Sequence, residues 1–530
     1  MFDRRTMIQR LEAESFDVLV VGGGIVGVGC ALDAATRGLR VALVERDDFG
    51  SGTSSKSSKL IHGGLRYLQQ REFRLVYEGL HERQRLRKIA PHQVRLLPFM
   101  IPVLTADGVV SPRVARALGS ALWMYDITGG WRIGKFHKKL SRSEAMAHLP
   151  SMPENKVAGA YLYFDAEADD ARLCLTIIRT AAAHGAIAVN QACVTRFSTD
   201  PTGRVNGAFV SVDGHDVAVR ARSVINATGV WSDAIRKLDD PGYTPTIRPA
   251  KGIHITVPTR RIGADTAVVI PVRSDKRSMF IIPNGDFTFV GTTDTDYGGP
   301  IDDPQCTSDD IDYVLTALND AITTDVTRDD IVGTWAGLRP LVSGAAKAKT
   351  ADLSRRHAVS VSSSGVITVT GGKLTTYRKM ADDAVSAACE ALDVKSRCVT
   401  TRRKLLGAAG FVEPTGGGVD AHLLRRYGTE AAMLRALIVA DRSLADPLVP
   451  GLPYVRAEAV HACRHEMATT VDDVLSRRTR ARLLGADASC QAADAVAAVM
   501  APHLGWSSDE QARQGAAYRA SVAHEQAWRG

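Results

Sequence analysis

Phe16-Asp17-Val18-Leu19-Val20-Val21-Gly22-Gly23-Gly24-Ile25-Val26-Gly27 opens the stretch that decides the fold. Its first six residues form an apolar run stopped by glycine, the pattern of a strand buried in a parallel sheet. Ile25 to Arg37 has helical spacing, Gly38 closes that helix, and Arg40-Val41-Ala42-Leu43-Val44-Glu45 reads as a second strand. Together they form one βαβ unit. Gly22-x-Gly24-x-x-Gly27 occupies its turn, and Glu45 follows Gly22 by 23 residues. Each position has a physical reason. Gly22 permits the tight turn, Gly24 lets backbone approach a pyrophosphate, and Gly27 lets the helix pack close to the strands. The helix N-terminus, at Ile25, then turns its N–H groups to the phosphates, and Glu45 accepts from ribose hydroxyls. Strand, helix and acid at these offsets supply the context that a glycine motif alone lacks.

Outward from this unit, residues 1–15 form an N-terminal extension without an apolar h-region, so no signal peptide is expected. Residues 50–60 are a Ser/Gly loop. Phe73 to Ile89 reads as a helix with its charges spread over an exposed face. Arg172 to Ala183 reads as a helix, Ala186 to Arg196 as a strand, and Val217 to Asn226 as another. Between about 245 and 295 the pattern alternates, as in antiparallel sheet. Ile367 to Gly372 is a last strand and turn, and Thr376 to Leu392 a helix. Beyond 400, Ala, Arg and Leu at helical spacing replace all strand signals. The expected organisation is a region over 16–395, followed by a separate helical domain over 400–530.

Composition sets limits. At 530 residues, two or three domains are expected. The net charge of +8 is weak at this length, and no basic block or aromatic-interleaved stripe argues for nucleic acid. The charge is compatible with an anionic substrate or membrane surface. Eight scattered cysteines without a CxxC pair suggest a reducing compartment and neither zinc nor a dithiol centre. The longest uncharged apolar stretch, Val18 to Leu32, has 15 residues and five glycines, so membrane contact is expected to be peripheral. His461 and His465 lie one helical turn apart, but without a third ligand they read as ordinary surface or interdomain histidines, and no metal site is expected.

Ser57-Ser58-Lys59-Leu60-Ile61-His62-Gly63-Gly64-Leu65-Arg66-Tyr67-Leu68 and Gly371-Gly372-Lys373-Leu374-Thr375-Thr376-Tyr377-Arg378 resemble signatures of the FAD-dependent, quinone-linked glycerol-3-phosphate dehydrogenases. Asp169 to Leu173, Asn226 to Trp231, Gly291-Thr292-Thr293-Asp294, Gly337-Leu338-Arg339-Pro340-Leu341 and His465 to Arg480 agree in order, so the resemblance covers nearly the whole chain. Val342 to Lys349 departs from it, since the family more often has an acidic loop there. The resemblance implies an α/β fold: a glutathione-reductase-like, Rossmann-type FAD domain with cofactor-binding segments near 16–70, 155–240 and 335–395, an antiparallel-sheet substrate domain with segments near 71–154 and 241–334, and an all-helical C-terminal domain. It implies FAD held non-covalently by Gly22, Gly24, Ile25, Gly27, Glu45, Arg46, Thr53, Ser54, Ser58, Leu60, Val194, Thr228, Gly229, Gly372, Lys373, Leu374 and Thr375. The implied reaction oxidises sn-glycerol 3-phosphate to dihydroxyacetone phosphate by hydride transfer to flavin N5. Electrons then pass to a membrane quinone. A cytoplasmic protein, peripheral on the inner face of the cytoplasmic membrane, follows; a homodimer is compatible.

The residue types suit that chemistry. A phosphomonoester dianion needs cationic donors, and Arg offers a bidentate fork. Arg66 and Arg339 sit in short Gly/Pro-bounded segments, as binding residues on turns do; the resemblance assigns both to the substrate pocket, and the Lys373 side chain is a further candidate for substrate. His62, whose ordinary pKa is near neutral, is the candidate base, and Tyr67 would orient the substrate. The plainer alternatives are a structural His62, fold-internal ion pairs for Arg66 and Arg339, a solvated Lys373, and a solvated loop for Arg273, Lys276 and Arg277. Three rival functions share the fold: an oxidase of the same substrate using O₂, an amine or amino-acid oxidase, and a module whose FAD is redox-silent. The full run from Ser57 to Leu68 argues against the amino-acid oxidase.

Overall fold

A computed structural model of the chain describes residues 2–65, 72–104, 112–130, 133–272, 277–342 and 356–530. Ser15–Val21 is the central strand of an eight-stranded sheet. It pairs in parallel with Val41–Val44 on one side and His215–Asn226 on the other. Ile187–Val189 and Ile367–Thr370 extend the parallel set outward. Residues Val18 to Val21 are buried, as expected of strands covered on both faces. The helix Ile25–Thr36 lies between Asp170–Ala183 and Tyr377–Ala391. An added Cβ at Gly29 would stand 2.9 Å from the Tyr377 ring, so the small residue sets the approach of the helices. Arg4–Ala13 is also helical and buries Met7 and Leu11 in the same core.

A second, ten-stranded sheet closes over the first. Its pairings are antiparallel except that of Ala267–Pro271 with Arg95–Leu104, which is parallel. It also takes Leu60–Ile61, Val157–Glu167 and part of Gly333–Val342, from stretches the sequence reading put with the cofactor-binding segments. The reason is that these strands run out of one sheet region directly into the other, with no linker composition to mark the passage.

Two further expectations are corrected. The strand expected over 186–196 is two, Ile187–Val189 and Ala192–Thr199, separated at Gln191, whose φ is +51°. The helix Phe73–Ile89 does not carry all its charges on an exposed face: Glu82 and Arg83 are buried and paired with Arg378 and Asp165. After residue 400 the regular elements are helical, and this region packs against both sheets. Val449, Val474 and Leu483 share one apolar cluster with Phe289 and Trp335 of the second sheet. Buried pairs Arg172–Glu466, Asp48–Arg478 and Asp170–Arg480 tie it to the first. No helix among the described residues is long and apolar enough to cross a membrane.

Candidate active site

A continuous cavity of about 1260 Å³ lies between the two sheets. The glycine-rich turn forms one part of its wall. Gly22 has φ +105°, where an L side chain is strained. A Cβ on Gly27 would lie 1.8 Å from the Gly22 carbonyl oxygen, so Gly27 serves packing and does not line the cavity. The helix starting at Ile25 has no side-chain cap at Gly24. The Ile25 N–H donates to Ser54 Oγ at 2.9 Å, bringing the Ser/Gly loop to the helix N-terminus. Glu45 accepts from the amides of Gly23 at 2.6 Å and Asp47 at 2.8 Å. Burial raises its carboxyl pKa to about 7, against the pull of those two donors. This combination, a glycine cradle, an uncapped helix start and an acid at the end of the next strand, fits a dinucleotide.

Of the residues expected to touch cofactor, all those named above except Gly27 line this cavity, Arg46 and Val194 among them. Thr53 is committed elsewhere through its hydroxyl, which donates to the Leu338 carbonyl at 2.7 Å. That contact holds the loop against the strand carrying Arg339.

His62, Lys373 and Arg339 line the same cavity. The His62 amide donates to Thr375 Oγ1 at 3.1 Å, so the two signature runs meet here although 313 positions apart. Lys373 stands at the turn between the strand Ile367–Thr370 and the 3₁₀ turn Leu374–Thr376, where Gly371 and Gly372 both have positive φ. Arg339 lies on a strand and not on a turn, paired in register with Ala250. Its Nη1 donates to Asp294 Oδ1 at 2.9 Å, and its Nη2 to Thr292 Oγ1 at 3.1 Å and the Thr293 carbonyl at 3.0 Å. The ion pair considered as an alternative is therefore present, and it aims the guanidinium along the cavity wall. A Cβ on Gly252 would come within 2.5 Å of Arg339 Nη2, so glycine leaves the space the fork occupies. Arg66, Tyr67, Arg273 and Lys276 lie outside the described residues.

Sequence reasoning missed His254. Its ring stacks on Trp335 at 4.7 Å, and its Nε2 lies 2.8 Å from Ser58 Oγ. It lines the cavity, and burial, then the charges of Lys59 and Arg339, push its pKa well below the ordinary value, so the ring is neutral. The signal was present: Gly252, His254 and Thr256 alternate with the core residues Ile253, Ile255 and Val257.

Comparison with known proteins fits this geometry. The sequence profile described as FAD dependent oxidoreductase matches residues 17–378, so the chain is a flavoprotein oxidoreductase of that class with FAD as its cofactor. A second profile, the C-terminal domain of alpha-glycerophosphate oxidase, matches residues 398–511. Glycerol-3-phosphate dehydrogenase 2 of Mycobacterium tuberculosis is 41% identical, over 98% of this chain and 90% of the relative. The mitochondrial glycerol-3-phosphate dehydrogenase of Rattus norvegicus is 38% identical, over 95% of this chain and 73% of that one. The glycerol-3-phosphate dehydrogenase of Bacillus halodurans, solved with FAD, superposes with a TM-score of 0.79 at 28% identity, covering 99% of this chain and 98% of that one. On these matches the chain belongs to the glycerol-3-phosphate dehydrogenase family.

Proposed function

We propose that the chain oxidises sn-glycerol 3-phosphate to dihydroxyacetone phosphate and passes the electrons to a membrane quinone. The observation that carries this reading is the meeting of His62, Lys373 and Arg339 on one cavity that also holds the glycine-rich turn. Bound FAD would supply the two-electron acceptor. The protein's part is alignment and proton handling. Arg339, already oriented by Asp294 and Thr292, and Lys373 would hold the phosphate. His62 would take the hydroxyl proton, with its backbone fixed by Thr375. Anaerobic addition of sn-glycerol 3-phosphate to the purified yellow protein should bleach the flavin; a flavin that stays yellow removes this substrate. His62→Ala should lower kcat about 10²- to 10⁴-fold, more than it raises KM. A wild-type kcat there would exclude the base assignment.

Glu45 gives the cofactor site a pH dependence. Ribose hydroxyls donate more strongly to a carboxylate than to its protonated form, so bound FAD would lower the Glu45 pKa from about 7. Binding then releases a proton, and affinity rises with pH. FAD affinity should weaken by up to about tenfold per unit as pH falls below 7, and Glu45→Gln should flatten that profile. A titration equally steep in the variant would assign the dependence to another group.

The surface near the cavity supports this reading of the acceptor and of the location. Phe73, Tyr77, Trp123, Met124, Ile127 and Phe136 are large apolar side chains left exposed, and Phe73 and Met124 also line the cavity. Apolar side chains of this kind beside a redox site suit a membrane face from which a quinone can enter. The reading is a cytoplasmic protein, peripheral on the inner face of the cytoplasmic membrane. Changing Trp123 and Ile127 together to Ser should abolish sedimentation with phosphatidylglycerol vesicles and reduction of a vesicle-borne quinone, while flavin bleaching persists. Full binding in that variant would place the membrane face elsewhere. Faster reoxidation by O₂ than by quinone would favour the oxidase instead.

A further inference from the structure

The loop from Arg46 to Lys59 forms much of the cofactor side of the cavity, yet its only regular element is the 3₁₀ turn Thr53–Ser55. Such a loop lacks ladder partners, so its buried polar groups need donors from elsewhere. Three arginines of one C-terminal segment supply them, beside the loop's own Lys59, whose Nζ donates to the Ser55 carbonyl at 3.2 Å and to Asp170 Oδ1 at 3.3 Å. Arg478 Nη2 donates to Asp48 Oδ1 at 2.8 Å and Nη1 to Oδ2, while Arg477 Nε reaches Oδ2 at 2.6 Å. Arg480 Nη2 donates to the Ser55 carbonyl at 2.8 Å and to Asp170 Oδ1. Asp170 in turn accepts from the Ser57 amide at 3.0 Å and the Ser57 hydroxyl at 2.6 Å. Arg478 is fully buried and Arg480 nearly so. The loop is thus fixed at both ends from outside, while its inner face presents Ser54 to the helix N-terminus and Ser58 to His254.

The segment that does this is itself held rigid. Asp473–Arg478 is a π-helical turn, a form frequent at functional positions. Arg478 Nη2 also donates to the Glu466 carbonyl at 2.6 Å, and the Arg478 carbonyl accepts from Arg172 at 2.9 Å and Arg426 at 2.8 Å. Asp473 accepts from the amides of Thr469 at 2.8 Å and Thr470 at 3.0 Å.

We propose that the C-terminal helical region is the holder of the cofactor loop, with Arg478 and Arg480 as positioning residues that set the protein's hold on FAD. A loop ordered in advance spares bound FAD the ordering entropy; a loosened loop charges it to the cofactor. The role is distinct from a simple staple, which would raise melting temperature without changing cofactor release. It concerns the cofactor alone, so it stands or falls independently of the substrate.

The test is FAD release from the holoenzyme, read as regained flavin fluorescence on dilution, beside amide exchange of the wild type. Arg480→Gln should speed release about tenfold or more, and Arg480→Lys, which keeps the charge but not the fork, by less. In the wild type, removing FAD should speed exchange in residues 473–482 as well as in 46–59. Release within about twofold of wild type in both variants would overturn the proposal, whatever their melting temperatures. So would FAD protection confined to 46–59, a result that needs no variant to fold.

Discussion

Arg339→Ala is expected to lower kcat/KM for sn-glycerol 3-phosphate about 10²- to 10³-fold, almost wholly through KM, with FAD still bound. The guanidinium is a charge-assisted donor, and the dianion it would meet loses that charge and its donor on truncation. The effect is enlarged by what remains. Asp294 is nearly buried, with its side chain 8% exposed, and would be left facing the phosphate without its partner. A carboxylate in that place repels the dianion, so Arg339→Ala should be worse than Arg339→Ala combined with Asp294→Asn. Lysine should recover only part, because it has no fork to reach both Asp294 and the Thr292 hydroxyl. Substrate titration of flavin bleaching reads all three variants. An unchanged KM in Arg339→Ala would leave the arginine as the fold-internal pair that its contact with Asp294 also allows.

That ambiguity shows where sequence reading stops. The first βαβ unit was legible because burial on both faces writes itself as an unbroken apolar run and because the turn admits only glycine at Gly22 and Gly27. The helix Phe73–Ile89 was legible in its limits for the same periodic reason. Its Glu82 and Arg83 were misread, because a charge is assigned to solvent unless its partner is known, and Arg378 and Asp165 lie 296 and 82 positions away. His254 was missed through attention to signature runs; the alternation that points it into the cavity was there to read. The hold of Arg478 and Arg480 on the cofactor loop spans more than 400 positions, and nothing local announces it.

The misread Arg83 leads to the other large effect. Asp165 is a buried hub: it accepts from Arg83, from the Tyr125 hydroxyl at 2.7 and 2.8 Å, and from the Gly63 amide at 3.2 Å. Burial, and then the charge of Asp165, raise the Tyr125 pKa far above the ordinary phenol, so Tyr125 stays a donor. Gly63 has no room for a side chain, since a Cβ there would lie 2.5 Å from Leu80 and 2.6 Å from the Tyr125 oxygen. The hub therefore fixes the backbone next to His62. Asp165→Ala should destabilise by about 3–5 kcal/mol, because it leaves the fully buried Arg83 without its carboxylate. It should also lower kcat, as the residue after His62 loses an acceptor. The two losses can be separated. Replacing both charges, Asp165→Leu with Arg83→Met, removes the stranded cation and should restore most of the stability, since apolar groups of similar volume replace buried pairs at little cost. In the double variant the Gly63 amide keeps only the Tyr125 oxygen, at 3.1 Å, and that hydroxyl has itself lost the carboxylate that orients it, so kcat should remain low. Recovery of kcat along with melting temperature would mean that the hub only supports the fold, and that the contacts of His62 with Thr375 and of Gly63 with Tyr125 suffice to hold the base.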